Sequence, residues 1–380
     1  MALQWLSLVA TIWLQSINGT NSNFPAYSSH LKKILSISQL QLNNLAFASD
    51  AGKLLGWVSG LAAAHLPLWL VLLIGSTLGL IGYGVQFLFL TNQIPSLSYW
   101  HVFALTVLAG NSICWINTVC YILAIQNFPL DRQIAVGLST SYVGLSAKIY
   151  TNLVDVFAPN SPSKRAKFFL LLNSISPLMV CVLAAPLARD VNGGKSRVLA
   201  KGFFILFIIT IITGLFAVIT SLVSRFLLPP LVVVLGMFVL LLLPLLTPLS
   251  EKVREKMQQK CWLRVHDEGI VHINIIGTTA AKLDDEESAG RSKKDDHNLS
   301  GCCGEEINIG AMSMLRRMEF WLYFFVYLFG ATLGLVYLNN LGQIAESRGC
   351  SGTSSLVSLS SAFSFFGRLL PSLLDYFFSK

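Results

Sequence analysis

The stretch from Trp100 to Phe157 constrains this chain more than any other. It reads WHVFALTVLAGNSICWINTVCYILAIQ, then NFPLDRQ, then IAVGLSTSYVGLSAKIYTNLVDVF. Each flanking piece is long enough to cross a hydrocarbon core of about 30 Å at 1.5 Å per residue, so the stretch reads as a transmembrane helical hairpin. Lipid cannot hydrogen-bond Asn111, Asn117, Thr118, Tyr121, Lys148 or Asp155. Those side chains must therefore face protein or a water-filled cavity.

Composition extends this reading to the whole chain. Hydrophobic residues make up 54% of the 380 and charged residues only 12%, about half the usual charged share of a soluble domain. Mean hydropathy is +0.63. The net charge of +8 comes from basic residues lying between apolar runs, not from an aromatic-interleaved strip of the kind that binds nucleic acid. Cysteines are scattered except for Cys302-Cys303, which implies no disulfide framework and no metal site.

About ten transmembrane helices follow from the apolar runs. Residues 2–17 read as a retained helix or a signal peptide; the absence of Lys or Arg before Lys32 favours the helix. A polar segment, Thr20 to Asn44, precedes the second span at Ala46 to Ala64. Gly52, Gly56, Gly60 and Ala64 recur there every four residues, placing small side chains on one face for close helix packing. The third span is Leu66 to Leu90, and the hairpin supplies the fourth and fifth. Phe168 to Leu187 is the sixth, with Pro177 and Pro186 as potential kinks. Phe203 to Val223 and Leu227 to Leu249 read as lipid-facing spacers. The charged segment Glu251 to Arg317 reads as a mostly disordered loop, and Phe320 to Leu341 and Ser354 to Phe378 complete the set.

Lys and Arg fall mainly in the segments that would be cytosolic if both termini are: Arg132, then Arg189 to Lys201, then Lys252 to Arg317, and Lys380. Lys164, Arg165 and Lys167 are a local exception.

Several motifs resemble a known family. GWVSGLAAAHLPLW at Gly56 to Trp69, AGNSICWINTVCY at Ala109 to Tyr121, NFPLDRQIAVGL at Asn127 to Leu138 and SYVGLSAKIYT at Ser141 to Thr151 resemble the plant nodulin-like proteins of the major facilitator superfamily. NNLGQIAESRG at Asn339 to Gly349 and SAFSFFGRLLPSLLDY at Ser361 to Tyr376 resemble the family's second half. The resemblance implies an all-α helical bundle of two pseudo-symmetric halves, with a substrate site between them near the bilayer midplane. On that template residues 1–190 form a six-helix half, 191–250 an inserted helix pair, 251–318 a hydrophilic cytosolic loop, and 319–380 the first two helices of the second half. The last four helices of the template have no counterpart in the chain. Gly367, Arg368 and Asp375 match the superfamily's loop after the second helix of a half, whereas Pro371 departs from it.

The candidate cavity residues are Asn111, Trp115, Asn117, Thr118, Tyr121, Tyr142, Lys148 and Asp155. Asn111, Trp115 and Thr118 share one stripe, which either lines a cavity or hydrogen-bonds neighbouring helices. Lys148 meets either an anionic group of a solute or a partner from protein. Asp155, seven residues on and about 10 Å away along the helix, is too far for a direct pair with it. Asp50 and Lys53 read as an intrahelical ion pair. Pro129, Asp131 and Arg132 form an architectural or gating turn, with Asp131 suited to a helix N-terminus. The chain has no HExxH, no Walker A loop and no nucleophile elbow. The expectation is a cofactor-free membrane carrier for a small solute, anionic in one reading; the family resemblance alone implies the plasma membrane or an endomembrane as its place. The alternative is a non-transporting relative acting as scaffold, sensor or regulatory partner.

Overall fold

The computed structural model describes residues 2–158, 161–188, 200–222, 228–257, 311–349 and 353–378. Among them the chain is helical throughout its regular structure, with no strand. The helices are α1 (Ala2–Asn18), α2 (Ser28–Leu35), α3 (Gln39–Lys53), α4 (Gly56–His65), α5 (Leu68–Leu90), α6 (Tyr99–Asn127) and α7 (Arg132–Phe157). They continue with α8 (Pro162–Ala184), α9 (Ala200–Leu222), α10 (Pro230–Leu242), α11 (Ala311–Leu315), α12 (Met318–Ser347) and α13 (Thr353–Phe378).

Each of the ten expected spans is helical, and seven helices among the described residues are long and apolar enough to cross a membrane: Leu68–Leu90, Tyr99–Asn127, Ser163–Leu187, Gly202–Leu222, Pro230–Met257, Met318–Ser347 and Ser354–Phe378. The other three differ for identifiable reasons. The first, α1, has 17 residues, about 25 Å at 1.5 Å per residue. The fifth, α7, is long enough but carries Ser, Thr, Asn, Lys and Asp along its length. The second is not one helix. It breaks at Leu54-Leu55, where the Leu54 and Leu55 N–H groups bond the carbonyls of Ala51 and Gly52 three residues back. Gly52 and Gly56 flank the break, and glycine is a poor helix former.

Local chemistry sets the helix starts. Ser38 and Gln41 form a reciprocal capping box that opens α3. At α8 the Ser161 hydroxyl accepts from the Lys164 N–H and Pro162 occupies the first turn. Asp131 stands at the N-terminal cap of α7 without a side-chain capping bond. Pro177 lies within α8, and Pro186 falls in the 3-10 turn Ala185–Leu187 that ends it.

The described chain divides into two compact units, Met1–Lys252 with Val336–Lys380, and Val253–Leu335. The first holds the bundle. Its largest apolar cluster joins Trp5, Leu8 and Ile12 of α1 to Leu138, Tyr142 and Leu145 of α7, Phe203 and Phe207 of α9 and Phe365 of α13. That corrects the reading of α9 as a lipid-facing spacer. Gly202 lies against the Trp5 ring, Gly214 against the Phe365 and Phe366 rings, and Thr210 meets the Tyr142 hydroxyl at 3.2 Å. Only the opposite face of α9, with Phe204, Ile208, Ile212 and Ile219, is exposed as a lipid-facing surface would be. In the second unit the aromatic side chains Trp321, Phe324, Phe325 and Phe329 are exposed and pack along their own helix, Trp321 edge-on to Phe324 and Phe325 stacked on Phe329. The greater part of the hydrophilic segment, 258–310, lies outside the described residues, as does 189–199.

Candidate functional site

The α6–α7 hairpin lies at the centre of the first unit, with α1 and α3 to α5 around α6 and α13 along α7. Glycine allows the closest crossings. A Cβ on Gly110 of α6 would run into the Ser49 carbonyl of α3, and one on Gly52 would collide with the Val107 carbonyl and come within 2.8 Å of the Asn111 nitrogen. On α5, Gly79 and Gly82 sit against Ser112, Leu105 and Ala109 of α6. Backbones that meet this closely gain dispersion contact, which is what holds helices together where lipid is as apolar as leucine.

The structure then shows where each predicted polar residue goes. The Trp115 indole N–H donates to Asn111 Oδ1 at 2.6 Å along α6, and Trp115 is buried against Val71 and Leu72 of α5 and α1's Leu14. Thr118 shares a 2.6 Å hydrogen bond with Ser59 of α4. Asn117 accepts from the Asn18 amide of α1 at 2.9 Å. Tyr142 is directed at α9 and packs edge-on against Phe365, while the Tyr121 ring is exposed. Asp155 pairs with Arg165 of α8 at 2.6 Å. The stripe therefore meets helices α1, α4 and α5 rather than converging on one point.

Lys148 has a different setting. It is 3% exposed, near the middle of α7. Ser361 of α13 inserts its hydroxyl into the α7 ladder beside it, accepting from the Lys148 N–H at 3.1 Å and donating to the Gly144 carbonyl. Gly144 makes this possible, since a Cβ there would come within 2.7 Å of the Phe365 Cα.

Asp50 and Lys53 form an ion pair at 2.7 Å, and Asn339 of α12 donates to the second oxygen of Asp50 at 3.2 Å. Gly56 sits 3.1 Å, measured from an added Cβ, from the Cys114 sulfur, whereas Gly60 and Gly367 have nothing within 4 Å of such a Cβ. Pro129, Arg132 and Arg368 are exposed, and Asp131 and Asp375 are half-buried. No cluster of potential metal ligands occurs among the described residues.

Two features escaped the sequence reading. Arg165 binds Asp155, the Ala158 carbonyl at 3.4 Å and the Ser354 hydroxyl of α13 at 2.9 Å. Its signal was the misplaced basic cluster. The second is α1, where Gln4, Ser7, Thr11, Gln15 and Asn18 are all buried. Their 3-4-4-3 spacing is that of one helix face, a pattern present in the sequence.

Residues 4–250 match the nodulin-like family profile. The chain belongs to the nodulin-like family. Residues 303–380 match the C-terminal domain of NFD4, and no solved structure matches. This nodulin-like chain is 40% identical over 387 aligned residues to Protein NUCLEAR FUSION DEFECTIVE 4 of Arabidopsis thaliana, covering 98% of its own length and 64% of that relative's. It is a multi-pass membrane protein of the nodulin-like, major-facilitator-like type. Within it, the α7–α13 seam built on Gly144, Lys148 and Ser361 joins the stretches matched by the two profiles.

Proposed function

We propose that this nodulin-like protein is a carrier of the major facilitator type that moves a small solute by gradient-driven alternating access, with Lys148 meeting an anionic group of that solute. The supporting observation is the burial of Lys148 beside Ser361 in the α7–α13 seam. A lysine held at mid-membrane costs about 2.5 to 3.5 kcal/mol on insertion scales, and a charge kept at that cost inside a helix bundle marks a solute or ion path in many membrane proteins. Both termini are assigned to the cytosolic face, from the Lys and Arg distribution.

A second reading, a non-transporting membrane scaffold, draws on the side-chain partners Asn111–Trp115, Thr118–Ser59 and Asn117–Asn18, which act as interhelical and intrahelical ties. Uptake into proteoliposomes of the full chain separates the two. Organic anions, amino acids and sugars are screened beside Lys148→Met, after insertion is verified. Accumulation of one anion, reduced at least tenfold by Lys148→Met without loss of protein, supports the carrier. An inserted chain that moves none of them favours the scaffold.

A further inference from the structure

The buried face of α1 is a polar seam against α6. The Gln4 amide donates to the Asn127 carbonyl at 3.1 Å, and the Asn127 amide donates to the Ser7 hydroxyl at 2.9 Å. At the other end the Asn18 amide donates to the Ile113 carbonyl at 3.1 Å and to Asn117 Oδ1 at 2.9 Å. The two helices thus run antiparallel, with residue 4 against 127 and residue 18 against 113. Between them the Thr11 hydroxyl donates to the Leu8 carbonyl of its own helix at 2.7 Å, which leaves its oxygen able to accept.

Gln15 breaks this pattern. It is 0% exposed, and neither its amide nitrogen nor its amide oxygen has a hydrogen-bond partner among the described residues. It lies one turn beyond Thr11 and one turn before Asn18, on the side of α1 that carries the residues bonded to α6. A carboxamide offers two donors and an acceptor, and burying one without partners costs about 2 to 7 kcal/mol depending on the reference state. An aliphatic residue of similar length would fill the same space without that cost. The side chains that line the seam, Gln4, Ser7, Thr11, Gln15, Asn18, Asn117 and Asn127, are all neutral. Such a surface offers hydrogen bonds in both senses but no counter-charge, so it compensates a neutral polar group for its lost hydration better than an ion.

We propose that Gln15 is the recognition group of a buried site between α1 and α6 that takes a neutral hydrogen-bonding group, a hydroxyl or carboxamide, of the transported solute. The proposal rests on the carrier reading and adds the chemistry of the solute's uncharged portion. A water molecule offers the same hydrogen bonds, so the test must separate a solute from a trapped water.

The full chain is reconstituted as wild type, Gln15→Leu and Gln15→Asn. Uptake of radiolabelled malate, gluconate and succinamate, which carry a hydroxyl or carboxamide beside a carboxylate, is measured, with succinate as the comparator lacking the neutral group, and thermal unfolding is followed in detergent without any probe. The expected result is uptake of at least one hydroxyl- or carboxamide-bearing probe, at least tenfold lower in Gln15→Leu and partly restored in Gln15→Asn. Probe-free Gln15→Leu is expected to be no less stable than wild type, because no protein hydrogen bond is lost. Uptake of that probe at the wild-type rate by Gln15→Leu overturns the proposal and assigns Gln15 to water. Uptake of succinate alone, unchanged by Gln15→Leu, overturns it while the carrier reading stands. Uptake of nothing by inserted wild type removes both. If Gln15→Leu does not fold, Gln15→Met replaces it. Unfolding of both variants beside a folded Gln15→Asn makes Gln15 a structural residue and overturns the proposal.

Discussion

Three glycines at four-residue spacing, Gly52, Gly56 and Gly60, look equivalent in sequence, yet the structure makes them unequal to alanine substitution. A Cβ at position 52 collides with backbone: the Val107 carbonyl, and the Asn111 nitrogen at 2.8 Å. Neither atom can swing away as a side chain would, so α3 and α6 must separate, and the reciprocal fit of Gly110 on Ser49 opens with them. Overpacking of this kind costs about 1 to 3 kcal/mol. With two backbone crossings opened together the upper end applies, about 3 kcal/mol or roughly a hundredfold in the folded-to-unfolded ratio. At Gly56 the neighbour is the Cys114 sulfur at 3.1 Å, a side-chain end that can shift, so the cost falls to about 1 kcal/mol. Gly60 has open space, and Gly60→Ala should be neutral or stabilising by up to about 1 kcal/mol through helix propensity. The assay is thermal unfolding of the three single variants in one detergent, together with the yield of inserted protein. Equal destabilisation by Gly52→Ala and Gly60→Ala would refute the reasoning, because that result requires the whole face to be packed alike.

Other expectations follow from charged and titratable groups. Arg165→Gln removes three ties at once, among them the ion pair with Asp155, whose two side chains are 12% and 14% exposed; unfolding measurements should show a loss of about 3 kcal/mol. Arg165→Lys should recover only part of it, since an ammonium group cannot fork between Asp155 and Ser354, and full recovery would contradict the geometry. His30 of α2 lies outside the expected spans, and burial first, then Lys33 and Lys167, pull its pKa below the ordinary histidine value. The unfolded chain then binds the proton more readily, so this group's contribution is present above the ordinary histidine pKa and is lost as pH falls through that range. His30→Gln should flatten the loss of stability between about pH 7.5 and 5.5, and an unchanged slope would exclude His30 as its source.

Helix positions were legible because membrane-length apolar runs leave the backbone no alternative to internal hydrogen bonding. The break at Leu54-Leu55 was not, because leucine carries no turn signal and the three-residue-back bonds there depend on how α3 meets α6. The role of α9 was hidden for a related reason. Its packing rests on Gly202 and Gly214, too far apart to form a repeat, and on Thr210, whose partner Tyr142 is 68 residues away in the chain. Helical spacing groups Asn111, Trp115 and Thr118 on a stripe, but it cannot say which helices that stripe meets, and α1, α4 and α5 supply the answer. Arg165 misled in the opposite direction: counted as a segment charge, it is a largely buried side chain that ties α8 to α7 and α13.

The polar links of α13 to the rest of the first unit bear on whether its seam can move. Three of them use serine hydroxyls: Ser354 accepts from Arg165, Ser361 bonds Gly144 and Lys148, and Ser372 donates to the Gln133 carbonyl at 3.4 Å. A serine on a helix has a second choice, since its hydroxyl can turn back to the carbonyl three or four residues earlier in its own chain. Ser139, Thr140 and Ser141 of α7 already do so. Separation of α13 from α7 therefore need not leave the Ser361 or Ser372 hydroxyl unpaired in lipid, since each lies more than one turn inside α13. The α3–α6 crossing has no such alternative, because its fit is carbonyl against glycine with no side chain to rearrange. On the carrier reading, the serine links of the α7–α13 seam can be remade if it opens, while its glycine contact at Gly144, like the crossings around α6, is lost without replacement.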